Sequence, residues 1–500
     1  MPKKASPERF LNELDSTVLA IPLLEKMKGA RANTSFDVMI EVNLMHQSEA
    51  PRTKDQIIRM VEERGGTVRK ALGVDTEQYV FARLTKSQIR LLAQDNETKR
   101  RPAREGAGQR LQETATRSLR PIFKIWPDFE VELLLTESLA TVKADAAHVA
   151  FSAAGRGVVW AVIDSGIDGT HSHFKKHRNL HLEAPLAHYD FSGDEPVRIE
   201  SPEEVKDPNG HGTHVAGIIA GEVDPDEKNP RALVRSRDEQ NQEYREARPV
   251  PRIRGVAPEC RLLSLRVADE RGRVNARNII AALGYIRRIN SDRLLPRIHG
   301  VNISLGYPFE AEWYGCGQSP LCAEVNRLER SGVIVVVAAG NGGYGRRQTD
   351  FKGEIRTSVE GSILDPANAE RAITVGSTHR DRPHTYGVSY FSAKGPTGDG
   401  RRKPDLVAPG ERIISCAAEA RRQRMGADEQ SCLYVEDSGT SMAAPHVSGC
   451  IAAFLSVRDE FKNQPERVKD IFLSTATDLG REPYYQGRGL VDLMRAIQSV

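Results

Sequence analysis

Two kinds of apolar periodicity divide this 500-residue chain. In the first quarter Phe36, Val38, Ile40, Val42 and Leu44 recur at every second position, the mark of a strand with one face buried. Thr53 with Gln56 spells a capping box for a helix that carries Ile57, Ile58 and Val61 and stops at Gly65 and Gly66. Residues 78–84 predict a second strand, Thr85 with Gln88 caps a helix running through Leu92, and residues 122–128 predict a last strand. Strand, helix, strand, helix, strand makes a small α+β unit over residues 36–128, and residues 1–35 have no assignment.

From residue 129 to 500 the pattern changes to short continuous apolar runs. Residues 158–163 and 332–337 suit parallel strands buried on both faces. Small-residue segments at 213–220 and 442–455 read as helices, so this larger part is α/β with a mostly parallel central sheet. Open sheets of that kind carry their sites at the carboxyl ends of the strands. The first run ends on Asp164 in Val162-Ile163-Asp164-Ser165-Gly166, and the second leads into Ala338-Ala339-Gly340-Asn341.

Two further segments complete a chemical set. Gly210-His211-Gly212-Thr213-His214 offers an imidazole, and Gly439-Thr440-Ser441-Met442-Ala443-Ala444-Pro445-His446-Val447 places Ser441 at a helix amino terminus, where developing negative charge is favoured. A serine hydroxyl needs a base, and the base needs a buried carboxylate to fix its tautomer; Ser441, His211 and Asp164 fit those roles. The order Asp, His, Ser resembles that of the subtilisin-like (subtilase) serine peptidases. The resemblance is strong over residues 145–495, where residues 403–410 and 487–492 also match family segments, and loose over 36–130. It implies a three-layer subtilisin-like domain and an endopeptidase acting through an acyl-enzyme on Ser441, with Asn341 and the Ser441 amide binding the oxyanion. No cofactor is needed for that chemistry. His214 and His446 inherit no proton-transfer role, and His171 and His173, lacking a Cys or carboxylate at ligand spacing, read as structural rather than metal-binding.

Substrate contacts follow from the same resemblance. Ser304, Leu305 and Gly306 would pair with an extended polypeptide, and Gly272 would lie on the opposite edge. The pocket for the residue before the scissile bond would be walled by residues 304–306 with Ala339 and Gly340, and floored by Leu364. A leucine there makes it shallow and favours small or medium apolar residues. The small unit at 36–128 resembles the family's inhibitory prodomain, an intramolecular partner; the rival reading is a permanently capped protein that binds a regulatory partner.

Composition narrows the rest. Lys and Arg number 71 against 68 Asp and Glu, a net charge of +3, which makes no case for nucleic acid or an anionic membrane. No apolar run is long enough for a transmembrane helix, and the first ten residues lack a secretory signal's apolar core, so a cytoplasmic location is expected. The basic stretch 94–120, with Lys99-Arg100-Arg101 and Arg104, Arg110, Arg117 and Arg120, reads as an exposed linker or a processing site. Residues 222–254 replace the short loop that helps bind calcium in the family with a long, densely charged segment containing Asp224, Asp226 and Glu227. It reads as a disordered or partner-contacting insertion, and a structural calcium is doubtful. Six cysteines make no disulfide scaffold. Cys316 with Cys322 and Cys416 with Cys432 are close enough in sequence to pair, although free thiols are the expectation in a reducing compartment.

Overall fold

The computed structural model describes residues 18–43, 46, 50–69, 78–96, 120–127, 137–224, 226–238, 240, 242–250, 252–291, 296–349, 353–426 and 429–500. Residues 1–133 and 134–500 form two compact units.

In the first unit the chain runs α1 (Ile21–Met27), β1 (Ser35–Val42), α2 (Ala50–Glu62), β2 (Thr67–Arg69), β3 (Tyr79–Thr85), α3 (Lys86–Asp95) and β4 (Ile122–Pro127). The strands form an antiparallel sheet in the order β2-β3-β1-β4. The alternation of β1 sends Val38, Ile40 and Val42 into a core with Ile57 and Val61 of α2 and Ile89 and Leu92 of α3. Thr85 and Gln88 form the expected reciprocal cap on α3. Thr53 does not cap α2: the helix already runs from Ala50, and Thr53 is buried inside it, its hydroxyl 3.1 Å from His46 Nδ1. The unassigned amino-terminal stretch contributes α1, which buries Leu23 and Met27 in the same core. Leu44, Asp128 and the basic residues from Lys99 to Arg117 lie outside the described residues, whereas Arg120 offers its carbonyl to Asn43 Nδ2 at 2.8 Å.

In the second unit the strands are β5 (Val159–Asp164), β6 (His188–Asp190), β7 (Val197–Ile199), β8 (Arg231–Arg237), β9 (Glu243–Pro249), β10 (Arg261–Arg266), β11 (Gly300–Ile303), β12 (Ile334–Ala338), β13 (Tyr344–Thr349), β14 (Gly353–Ser358), β15 (Ile373–His379), β16 (Leu406–Glu411), β17 (Ile413–Cys416) and β18 (Tyr434–Asp437). The central sheet has the order β16-β15-β12-β11-β5-β10-β6-β7, and every pair but β6–β7 is parallel.

Both faces of this sheet are covered, which is why its strands read as unbroken apolar runs. Trp160, Val162, Ile334 and Val336 point to one face, where α4 (His211–Ile219) and α8 (Thr440–Leu455) pack. Ala161, Ile163, Val335 and Val337 point to the other, against α5 (Ala276–Asn290) and α6 (Pro320–Arg330). Helix, sheet and helix thus make three layers. α7 (Glu419–Gln423) is a short turn on the first side of the domain. At the centre Gly300 sits opposite Trp160, and a Cβ there would come 2.3 Å from the indole, so the strands approach only because Gly300 has none.

The charged segment at 222–254 departs from its expected disorder. It folds into the antiparallel hairpin β8–β9, and β8 adds in parallel to β18 to make the sheet β17-β18-β8-β9. The cause is the apolar triplet Ala232, Leu233 and Val234, all buried, which was concealed among surrounding charges.

Candidate active site

Three elements of the second unit bring the predicted residues to one place. β5 ends in Asp164, which is fully buried, as expected for a residue at the carboxyl end of a central strand. His211 opens α4 behind Gly210, whose φ of +94° is left-handed and suits glycine. Ser441 lies in the first turn of α8.

His211 Nδ1 donates to Asp164 Oδ1 at 2.8 Å, which leaves Nε2 as the basic nitrogen. The Ser165 amide also donates to that carboxylate oxygen, at 2.7 Å. Burial by itself lowers the His211 pKa, yet the Asp164 charge and hydrogen bond, with Asp437 and Asp207 beyond, hold it above the ordinary imidazole value. Ser441 Oγ donates to Ser304 O at 3.2 Å, and Ser304 Oγ returns a bond to Ser441 O at 3.1 Å. These two bonds clamp the start of α8 to the end of β11.

Asn341 is exposed just beyond β12. Its Oδ1 accepts from Thr440 N at 2.9 Å and from Thr440 Oγ1 at 3.0 Å, so the Nδ2 end is the one left to donate beside the Ser441 backbone. Thr440 Oγ1 in turn accepts from Gly340 N at 3.1 Å, tying the loop after β12 to the first turn of α8.

The predicted substrate residues divide into two groups. Leu305 and Gly306 continue from β11, Tyr307 exchanges two 2.9 Å backbone bonds with Asp365, and Leu364 N donates to Ala339 O at 3.1 Å. Leu364 therefore sits between Gly306 and Gly340: a Cβ on Gly340, whose φ is +112°, would come 2.6 Å from Leu364 Cγ, and one on Gly306 would come 3.2 Å from Leu364 Cβ. Gly272 is separate, on a tight turn where a Cβ would meet Asn209 Nδ2, beside the His211 loop.

Several positioning residues stand outside any motif. Asp207 is buried and holds the entrance to α4, accepting on Oδ1 from Ser165 Oγ at 2.8 Å and Gly210 N at 2.7 Å, and on Oδ2 from Thr213 N at 2.8 Å. Burial pushes its pKa up against these bonds. Asn302 Nδ2 donates to Ser304 Oγ at 2.9 Å, and Asn302 Oδ1 accepts from Ser448 Oγ at 2.9 Å, both inside the protein. A polar residue in the apolar run Val301-Asn302-Ile303 was the available clue.

The remaining histidines are structural in their surroundings. His214 donates to Val435 O at 3.0 Å, His446 to Met442 O at 2.8 Å, and His171 to Leu433 O at 2.9 Å while accepting from His173 N at 3.2 Å. Burial lowers the pKa of each, so they stay neutral. Among the described residues no group of three or more His, Cys, Asp or Glu is arranged to hold a metal ion, and no helix is long and apolar enough to cross a membrane. All six cysteines are buried free thiols.

The buried carboxylate, the oriented imidazole and the serine at a helix start, on a parallel sheet covered on both faces, define a serine hydrolase. Comparison with known proteins gives the family: the subtilase family profile matches residues 155–489, and the chain belongs to it. It is 27% identical over 394 residues to serine protease AprX of Bacillus subtilis (strain 168), covering 75% of this chain and 74% of that protein. The intracellular serine protease of Paenibacillus polymyxa is 29% identical over 343 residues, 68% of this chain and 80% of the relative. Subtilisin E of Bacillus subtilis (strain 168) is 29% identical over 360 residues, 72% and 70% of the two chains. The protein is a serine endopeptidase acting on polypeptides.

Proposed function

We propose that Ser441, His211, Asp164 and Asn341 carry out peptide hydrolysis through an acyl-enzyme. His211 Nε2 takes the Ser441 proton as Oγ attacks the scissile carbonyl, and the same proton then goes to the leaving amine. The oxyanion rests on Asn341 Nδ2 and the Ser441 amide. Water, deprotonated by His211, then releases the acyl group. The observation that carries this reading is the 2.8 Å bond from His211 to a fully buried Asp164, which fixes the tautomer that a base requires. On productive binding Ser441 Oγ exchanges its bond to Ser304 O for one to His211 Nε2.

Substrate lies in extended form along residues 304–306, with Gly272 on the far edge, and its residue before the scissile bond enters a pocket walled by Ala339 and Gly340 and floored by Leu364. The Leu364 side chain, packed between Gly306 and Gly340, supports a shallow pocket for small or medium apolar residues. The α+β unit ahead of the catalytic part acts as an intramolecular inhibitor; its position and strand-helix pattern support this. Action inside the cell is supported by the free thiols and by relatives named intracellular serine proteases.

The test is a fluorophosphonate probe on the full chain, read by intact mass. One adduct that disappears in Ser441→Ala supports the nucleophile. Faster labelling of a chain lacking residues 1–128 supports the inhibitor, and equal labelling refutes it.

A further inference from the structure

One cavity of the catalytic unit has no role in the reaction described above. It has a volume of about 250 Å3 and lies beside Asn209, between the hairpin β8–β9 and α7. Four arginines line it: Arg235 and Arg245 from the hairpin, and Arg421 and Arg424 from α7 and the residue after it.

The hairpin carries its two arginines on the face that lines the cavity, where both remain exposed to solvent. Side chains on alternate positions of a strand share a face. Leu233 and Ala247 pack into a small apolar cluster with Ala417, Cys432, Val435 and Met425, so Arg235 and Arg245, two residues along, are carried on that same face. They are also directly opposite each other in the antiparallel register. Like charges in that relation oppose pairing, so the two guanidiniums concentrate positive charge at the mouth of the cavity.

Neighbouring carboxylates leave this charge only partly offset. Asp437 is engaged by Arg421 at 2.9 Å, and Glu436, which itself lines the cavity, is engaged by Arg412 at 3.2 Å. Arg245 reaches Glu429 only at 4.0 Å. Arg424 donates to the carbonyls of Pro208 and Asn209, which hold the guanidinium without neutralising it. Among the described residues Arg235 has no carboxylate within ion-pair distance.

The cavity adjoins the base of the candidate triad. A Cβ on Gly210, the residue before His211, would come 2.7 Å from Arg421 Cβ, and Asp437, the Arg421 partner, precedes the Ser438-Gly439 turn into Ser441. We propose that this arginine-lined cavity is a specificity subsite that takes the carboxylate of an acidic side chain on the polypeptide substrate, within three residues of the scissile bond. The inference rests on the catalytic reading of His211 and Ser441. Arg235 and Arg245 would grip the carboxylate, Arg421 and Arg424 would close the other side, and Leu233, Met425 and Val435 would receive its methylenes.

Fluorogenic peptides differing only by Glu or Gln, scanned through three positions on each side of the cleaved bond, test this in the full chain. Active molecules are counted with the fluorophosphonate probe. At one position Glu is expected to raise kcat/KM about tenfold over Gln, an advantage that shrinks as salt is added. The double variant Arg235→Gln/Arg245→Gln is expected to erase that advantage, and Arg235→Glu/Arg245→Glu to favour Lys at the same position. Wild-type rates of Ser441 labelling by the probe report that each variant folds. Labelled enzyme with equal turnover of Glu and Gln peptides at every position would overturn the subsite alone. Absence of labelling at Ser441 both in the full chain and in the chain lacking residues 1–128 would bring down the catalytic reading and the subsite with it.

Discussion

Thr440 shows how a single residue orients Asn341, the proposed oxyanion donor. Both its amide and its hydroxyl donate to Asn341 Oδ1, so Thr440→Val removes one of two bonds that orient the amide. We expect kcat to fall about tenfold with little change in KM, and Thr440→Ser to recover most of the loss. Asn341→Ala, which removes the donor itself, should lower kcat about a hundred- to a thousandfold, the loss known for subtilisin. In the proposed mechanism the base is neutral imidazole, so activity is expected to rise as pH climbs through the His211 pKa. That pKa is raised, in part by Asp437, so the acid limb of kcat/KM lies above the ordinary imidazole value and moves to lower pH in Asp437→Asn. An unmoved limb in that variant would mean that Asp437 does not act on the base. Leu364→Gly should deepen the pocket between Gly306 and Gly340 and shift the ratio of Phe to Ala turnover before the scissile bond by about tenfold toward Phe. The motifs that hold Asp164, His211 and Ser441 mark these residues in the sequence, and the fold sets Asp164 against His211 and Ser441 in the first turn of α8. The roles of Asp207, Asn302 and Thr440 are not legible there, because a hydrogen-bond acceptor or hydroxyl gains its role only from what the fold sets opposite it.

Elements were legible in proportion to how cleanly their periodicity stood out. β5 and β12, unbroken apolar runs feeding a covered parallel sheet, fall close to where the pattern puts them. β8 is hard to read because its three buried residues are flanked by Arg231 and Arg235, and the sheet that buries them is completed by β18, some two hundred residues later. The Thr53 cap failed for a related reason: tertiary contact with His46 overrode a local sequence rule. At the sheet centre the contact of Gly300 with Trp160 makes a sharp prediction. Gly300→Ala should lower stability by about 1–3 kcal/mol in denaturant unfolding, since the added methyl meets the indole on a central strand.

For the whole molecule the two faces of one sheet explain both stability and site placement. α4 and α8 lie on the same face, and the loops at the carboxyl ends of β5, β11 and β12 close over their amino termini, so residues far apart in the chain meet at the carboxyl end of the central strands. A fold so dependent on long-range parallel pairing forms slowly unless guided. The most direct test of the central claim is rapid-quench mass spectrometry with an activated ester substrate, followed by peptide mapping. An acyl mass on the peptide spanning residues 439–447, absent in Ser441→Ala and strongly slowed in His211→Ala, is the expected result. Acylation elsewhere, or undiminished turnover by Ser441→Ala, would contradict it.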